Sequence, residues 1–165
     1  MKRFFLTGER GIGKSTLLKS IIEDCKLDFE GFTTSFNHSN NYLFLQINNG
    51  ESYTIAERNK HGFMEANIKE FQKASKAIDK VLSGQKILII DELGYVEQES
   101  REFMNVVEKI LVNAKKYICV IRNDDNPFLK RIKQLSDYET IILTRNNREA
   151  VRGKLIQAIC KKAGI

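Results

Sequence analysis

Gly8-Glu9-Arg10-Gly11-Ile12-Gly13-Lys14-Ser15 decides how the rest of this sequence is read. It fits the pattern G-x-x-x-x-G-K-[ST] without departure. An apolar run, Arg3 to Thr7, precedes it and reads as a buried strand. A helical pattern, Lys14 to Cys25, follows with Leu17, Leu18, Ile21 and Ile22 on one face. Strand, glycine-rich turn and helix N-terminus together make a phosphate cradle. The glycines let successive backbone N–H groups turn inward, and the helix start adds the positive end of its dipole. On this reading Gly8, Glu9, Arg10, Gly11, Ile12 and Gly13 wrap a polyphosphate, and Lys14 reaches its β- and γ-phosphates. The Ser15 hydroxyl ligates Mg²⁺, and Thr16 is placed to touch the α-phosphate. A nucleoside triphosphate with Mg²⁺ is therefore the expected ligand. The loop alone does not specify the reaction.

The next informative stretch is Lys86-Ile87-Leu88-Ile89-Ile90-Asp91, continuous in the way of a strand buried on both faces of a parallel sheet. A phosphate loop needs such a strand ending in an acid, and Asp91 supplies the carboxylate expected in the metal shell beside Ser15. Glu92 follows at once. A carboxylate there can take a proton from water attacking the γ-phosphate, so Glu92 is the candidate general base, with Lys14 as its catalytic partner. Glu97 is open between a solvated place in the following turn and a supporting role, and Gly94 is expected to serve the turn.

Short apolar runs alternate with helix-period segments along the chain. Met64, Ile68, Phe71, Ala74, Ile78 and Val81 or Leu82 recur at helical spacing, closed by Ser83-Gly84. Phe103, Val106, Val107, Ile110, Leu111 and Ala114 form a second stripe. Tyr117–Ile121 and Glu139–Leu143 read as strands, Asn126 to Leu135 as a short helix, and a last helix starts near Asn147 with Asn146 and Glu149 spaced as a capping box. Between Phe32 and Arg58 the pattern changes to half-buried strands, with Leu43, Leu45 and Ile47 on one face and Asn48-Asn49-Gly50 as a turn. The expected architecture is a single α/β domain over residues 1–165. It is a three-layer P-loop sandwich whose mostly parallel central sheet is flanked by helices, with an antiparallel extension around residues 32–58.

Composition excludes several alternatives. With 165 residues, 42% hydrophobic and a single proline, the chain is neither disordered nor of low complexity. No apolar run is long enough to span a bilayer, and the start is too short in apolar residues for a secretory signal. Cys25, Cys119 and Cys160 are odd in number and widely spaced, which argues against a disulfide framework or zinc site and for free thiols in a reducing cytoplasm. The net charge of +6 is spread among acids, so nucleic acid is not expected as the main partner. No membrane partner is expected either, and a monomer is favoured. His38 and His61 are isolated, Lys130, Arg131 and Lys133 read as a solvated helical face, and Phe32 or Tyr42 could flank a base.

Gly8 to Thr16, Gly31-Phe32-Thr33-Thr34, Asp91-Glu92-Leu93-Gly94-Tyr95-Val96-Glu97 and Asn147-Arg148 occur in the order seen in the THEP1-type nucleoside-triphosphatases, which the chain resembles over nearly its whole length. The resemblance implies Mg²⁺-dependent hydrolysis of ATP, GTP and other nucleoside triphosphates to diphosphate and phosphate, with loose base preference. It also implies that Asn147 and Arg148 lie near the base. Three departures stand out. Arg10 replaces the usual proline, Phe36 stands where the family places an acid, and Tyr95 replaces a lysine. A nucleoside or nucleotide kinase on the same fold, and a nucleotide-dependent switch acting on a protein or nucleic acid, remain alternatives. If Tyr117–Ile121 lies between the P-loop strand and the acidic strand, Arg122 and Asn123 face the γ-phosphate as sensor candidates.

Overall fold

In the computed structural model, which describes residues 2–123, 126–135 and 137–160, the phosphate loop joins strand β1 (Arg3–Gly8) to helix α1 (Lys14–Cys25). The remaining elements, in chain order, are β2 (Phe29–Phe36), β3 (Tyr42–Ile47), β4 (Ser52–Arg58), β5 (Met64–Ala66), α2 (Ile68–Val81), β6 (Ile87–Leu93), α3 (Arg101–Asn113), β7 (Tyr117–Ile121), α4 (Pro127–Ile132), β8 (Glu139–Leu143) and α5 (Arg148–Ile159). A 3₁₀ turn, Val96–Glu99, links β6 to α3. One eight-stranded sheet runs β5-β4-β3-β2-β6-β7-β1-β8. The pairs from β2 to β8 are parallel, whereas β2-β3, β3-β4 and β4-β5 are antiparallel. The expected α/β sandwich with its antiparallel extension is what the chain forms.

Two apolar cores separate the layers. On one face, Leu17, Leu18 and Ile21 of α1 and Val151, Leu155 and Ile159 of α5 pack on Phe4, Leu6, Ile89, Ile118 and Val120. On the other, Phe71 and Ile78 of α2 and Phe103 and Val107 of α3 cover Phe5, Phe32, Leu45, Ile90 and Ile121. Burying the central strands on both faces is what their unbroken apolar runs require.

Four expectations need correction. Met64 belongs to β5 rather than to the helix. The Asn67 side chain accepts from the Glu70 N–H at 3.2 Å and starts α2 after it, while Ala66 still pairs with Ala56 across the sheet. The capping box is also absent. Asn147 occupies the cap of α5, and its side chain turns back, accepting from Thr144 N and donating to Ile142 O, each at 2.7 Å. Phe32 is core, edge-on to Phe103 at 5.7 Å between ring centroids, because it alternates with exposed Thr33 on a covered face. Finally, Cys25 and Cys160 are joined as a disulfide, their Cα atoms 5.6 Å apart, at the C-terminal ends of α1 and α5. They are 135 residues apart in sequence, and only the packing of the two helices brings them together. The cysteine argument for a reducing compartment loses its footing. Cys119 is free and buried. No helix among the described residues is long and apolar enough to cross a membrane.

The sheet is tightest where β2 meets β6. Gly31 sits opposite Ile89, and a Cβ there would lie 1.7 Å from the Ile89 carbonyl oxygen, at a φ of +149°. Gly31→Ala should therefore cost about 3 kcal/mol through forced displacement of a central strand pair. Urea unfolding of the purified variant checks this, and a loss below about 1 kcal/mol would show that the strands separate freely.

Candidate nucleotide site

Gly13 caps α1 in the left-handed region, at a φ of 96°, with no side-chain cap, so the first-turn N–H groups of α1 point into the loop. A Cβ at Gly13 would meet Arg148 Nη1 at 2.7 Å. The absence of a side chain lets Arg148 donate to the carbonyls of Gly13, at 3.1 Å, and Ile12, at 3.4 Å. Lys14 is 8% exposed and spans the inside of the cradle, its ammonium donating to Gly8 O at 2.9 Å and Glu9 O at 3.1 Å.

Across from the loop, the Ser15 hydroxyl donates to Asp91 Oδ1 at 3.1 Å. This contact unites the two motifs, 76 residues apart in sequence. Burial pushes the Asp91 carboxyl above its ordinary value, opposed by the Ser15 hydrogen bond and the charges of Lys19 and Lys14. A hydroxyl beside a desolvated carboxylate is an oxygen donor set of the kind that suits a hard divalent cation.

A register shift in β6 explains how Glu92 enters the site. Asp91 pairs with Val120 and Leu93 with Ile121, leaving Glu92 bulged out of the ladder. Leu93 consequently joins Ile90 in the α2–α3 core. Asp91 stays on the α1 side with Ile89. Thr34 fixes the bulge from β2, its Oγ1 donating to Glu92 O at 2.9 Å and accepting from Glu92 N at 3.3 Å.

These groups border a cavity of about 750 Å³ lined by Gly8 to Gly11, Gly13 to Thr16 and Glu92, with Phe36, Arg58, Met64, Tyr95, Arg122 and Asn123 on its far side. The condition set in the sequence reading is met, since β7 lies between β6 and β1, and it delivers Arg122 and Asn123 there. The Arg122 guanidinium lies 5.3 Å from the Tyr95 ring centroid, and its backbone N–H donates to Leu93 O at 3.0 Å. A second cavity, about 450 Å³, lies on the other flank of the loop. Ile12, Asn123, Leu143, Thr144 and Arg145 line it along with Gly8 to Gly11. Asn147 and Arg148 stand behind it, shaping the 144–147 turn and bracing Gly13.

A family model described as NTPase matches residues 3–156. The chain belongs to that NTPase family. Among its relatives, the nucleoside-triphosphatase THEP1 of Thermotoga sp. strain RQ2 is 24% identical over 165 residues, covering 95% of both chains. The fold matches the crystal structure of THEP1 from Aquifex aeolicus with a TM-score of 0.72 and 23% identity, over 96% of this chain and 99% of that one. It also matches the solution structure of a human cancer-related nucleoside triphosphatase, with a TM-score of 0.75 and 19% identity over 95% and 96%.

Some residues of the site were invisible in the sequence. Arg58 and Met64 reach it because β4 ends and β5 begins at the same rim, and no local pattern marks them, while the hold of Thr34 on the Glu92 backbone is likewise not written in its own run. Tyr42, a sequence candidate for flanking the base, pairs instead with Phe44 at 6.5 Å. Arg131 of the basic helix pairs with Glu108 at 2.6 Å, in keeping with a solvated face.

Glu97 is 2% exposed, and its Oε2 accepts from Gly94 N at 3.0 Å, which holds the turn after β6. Burial, above all, lifts its carboxyl from 4.5 to about 7, with Glu92 adding to the rise and backbone hydrogen bonds and Arg122 opposing it. The folded chain thus binds a proton that the unfolded chain releases, and stability should fall as pH rises from about 4.5 to about 7. The change should approach about 3 kcal/mol and vanish in Glu97→Gln, which keeps an oxygen for Gly94. Urea unfolding at pH 5 and pH 8 reads this, and an unchanged pH slope in the variant would contradict it.

Proposed function

We propose that this NTPase-family chain hydrolyses nucleoside 5′-triphosphates, ATP and GTP included, to diphosphate and phosphate in a Mg²⁺-dependent reaction. The Ser15–Asp91 contact carries the reading, because it sets the metal-binding oxygens beside the phosphate cradle and next to Glu92. The loop N–H groups and Lys14 bind and neutralise the β- and γ-phosphates. Ser15 and Asp91 would hold the Mg²⁺, which when bound supplies charge neutralisation of the phosphate oxygens. Glu92 orients a water in line with the γ-phosphorus and takes its proton. Arg122, poised over Tyr95, supplies positive charge where the γ-phosphoryl oxygens gain negative charge.

Ribose and base take the second cavity, against Thr144 and Arg145.

Glu92→Gln should retain nucleotide binding and lose roughly 100-fold or more in hydrolysis. Lys14→Ala should weaken both together, and Arg122→Ala should lower kcat roughly 100-fold with a smaller change in affinity. Phosphate release and equilibrium binding of ATP and GTP, with Mg²⁺ and after its removal by chelation, separate these effects. Full activity in Glu92→Gln, or no dependence on Mg²⁺, would remove the assignment.

A further inference from the structure

Hydrolysis requires room for one water beside the γ-phosphate, about 30 Å³. The larger cavity continues well past Glu92, to Phe36, Met64 and Tyr95. Phe36 is 41% and Tyr95 40% exposed, so two large rings stand in the wall of an otherwise polar cleft. Full burial of such a side chain is favourable by about 1.5–3 kcal/mol, and leaving both open is a cost that a bound ring would offset.

The wall is held in place by its backbone. Phe36 ends β2 opposite Leu43 and lies two residues beyond Thr34, the residue that clamps the Glu92 backbone. Two strand residues advance about 6.6 Å, so Phe36 stands one pleat beyond Thr34 on the same face of β2, and both Phe36 and Glu92 line the cavity. Tyr95 follows Glu92 by three residues, beneath Arg122. Met64 pairs with Arg58 in the sheet. Arg58 ties the two neighbouring loops, donating to Asn40 O at 3.0 and 2.9 Å and to Gly62 O at 2.7 Å.

Two aromatic rings, a thioether and a guanidinium recognise a planar heteroaromatic ring, and a carboxylate at the inner end accepts a proton from a hydroxyl. The geometry points to an acceptor subsite for a nucleoside, and to phosphoryl transfer from the bound triphosphate as a second activity of this chain. It rests on the nucleotide site proposed above. A hydroxyl oxygen of the nucleoside attacks the γ-phosphorus while its proton passes to Glu92. The bond from the γ-phosphorus to the β,γ-bridging oxygen breaks, and the nucleoside diphosphate leaves with that electron pair. The products are a nucleoside diphosphate and a nucleoside monophosphate, and no further reagent is consumed. A single-stranded nucleic acid would also stack on the rings. However, at this end of the extension Glu57 and Glu65 balance Arg58 and Lys60, so the wall offers no excess positive charge to a polyphosphate backbone.

The test incubates the whole chain with Mg·ATP and each of adenosine, guanosine, cytidine and uridine, and follows products by ³¹P NMR. With at least one nucleoside, its monophosphate should accumulate beside inorganic phosphate. The share of γ-phosphate passed to that nucleoside should fall at least about tenfold in Phe36→Ala and in Tyr95→Ala, the scale of losing one stacked ring. Phe36→Tyr, which keeps a ring, should hold the share within about threefold, a control against misfolding. Saturation-transfer NMR on Glu92→Gln with Mg·ADP should show contact with the same nucleoside, lost when Phe36→Ala is added. Phosphate release from ATP with no nucleoside bound or phosphorylated overturns the subsite alone. Neither phosphate release nor nucleoside monophosphate under any condition overturns the hydrolase reading, and the subsite with it.

Discussion

One hydrogen bond, from the Ser15 hydroxyl to the Asp91 carboxylate, holds the two halves of the site in register. Ser15 stands at the start of the first helix and Asp91 near the end of the sixth strand, and β7 and β1 must both lie correctly for them to meet. The two apolar cores serve that alignment by sandwiching β1, β7 and β6 between helix pairs. The electrostatic result is a desolvated carboxylate, raised above its ordinary value by burial and steadied by a hydroxyl and nearby lysines. Such a group is costly in a dry interior unless a cation is its natural companion.

Much of this was legible in the chain because it is local. The phosphate loop is a contiguous pattern, and the strand before it and the helix after it each carry their own periodicity. Ile87 to Asp91 announces a strand buried on both faces by its lack of polar residues. The site's other components depend on tertiary geometry. Glu92 enters the cavity through a one-residue bulge that alternation does not foretell. Thr34 acts through a contact with a residue 58 positions away. Glu97 reads equally as a solvated turn residue or as one supporting the site, since an acid after a strand reads the same until its surroundings are known, and its burial was not foreseen. Met64 fitted a helical stripe by spacing alone, and a cap at Asn67 decided otherwise.

The antiparallel extension gives the fold its individual character. It places Phe36, Arg58 and Met64 on the side of the cleft facing the loop. Phe36 and Tyr95, two positions where the sequence reading expected a departure from the family pattern, fall on this wall and give it aromatic surface. Arg10, the third, lines both cavities and adds a cation to the cradle itself. The chain thus keeps its phosphate-handling parts and changes what surrounds them.

Helices α1 and α5 are tied at both ends of α1. At the leading ends Arg148 grips the carbonyls of Ile12 and Gly13, and at the end of α1 Asp24 pairs with Arg152 while Cys25 is bonded to Cys160. Two helices fastened at both ends of α1 behave as one plank, so the loop between β1 and α1 rests on a braced floor.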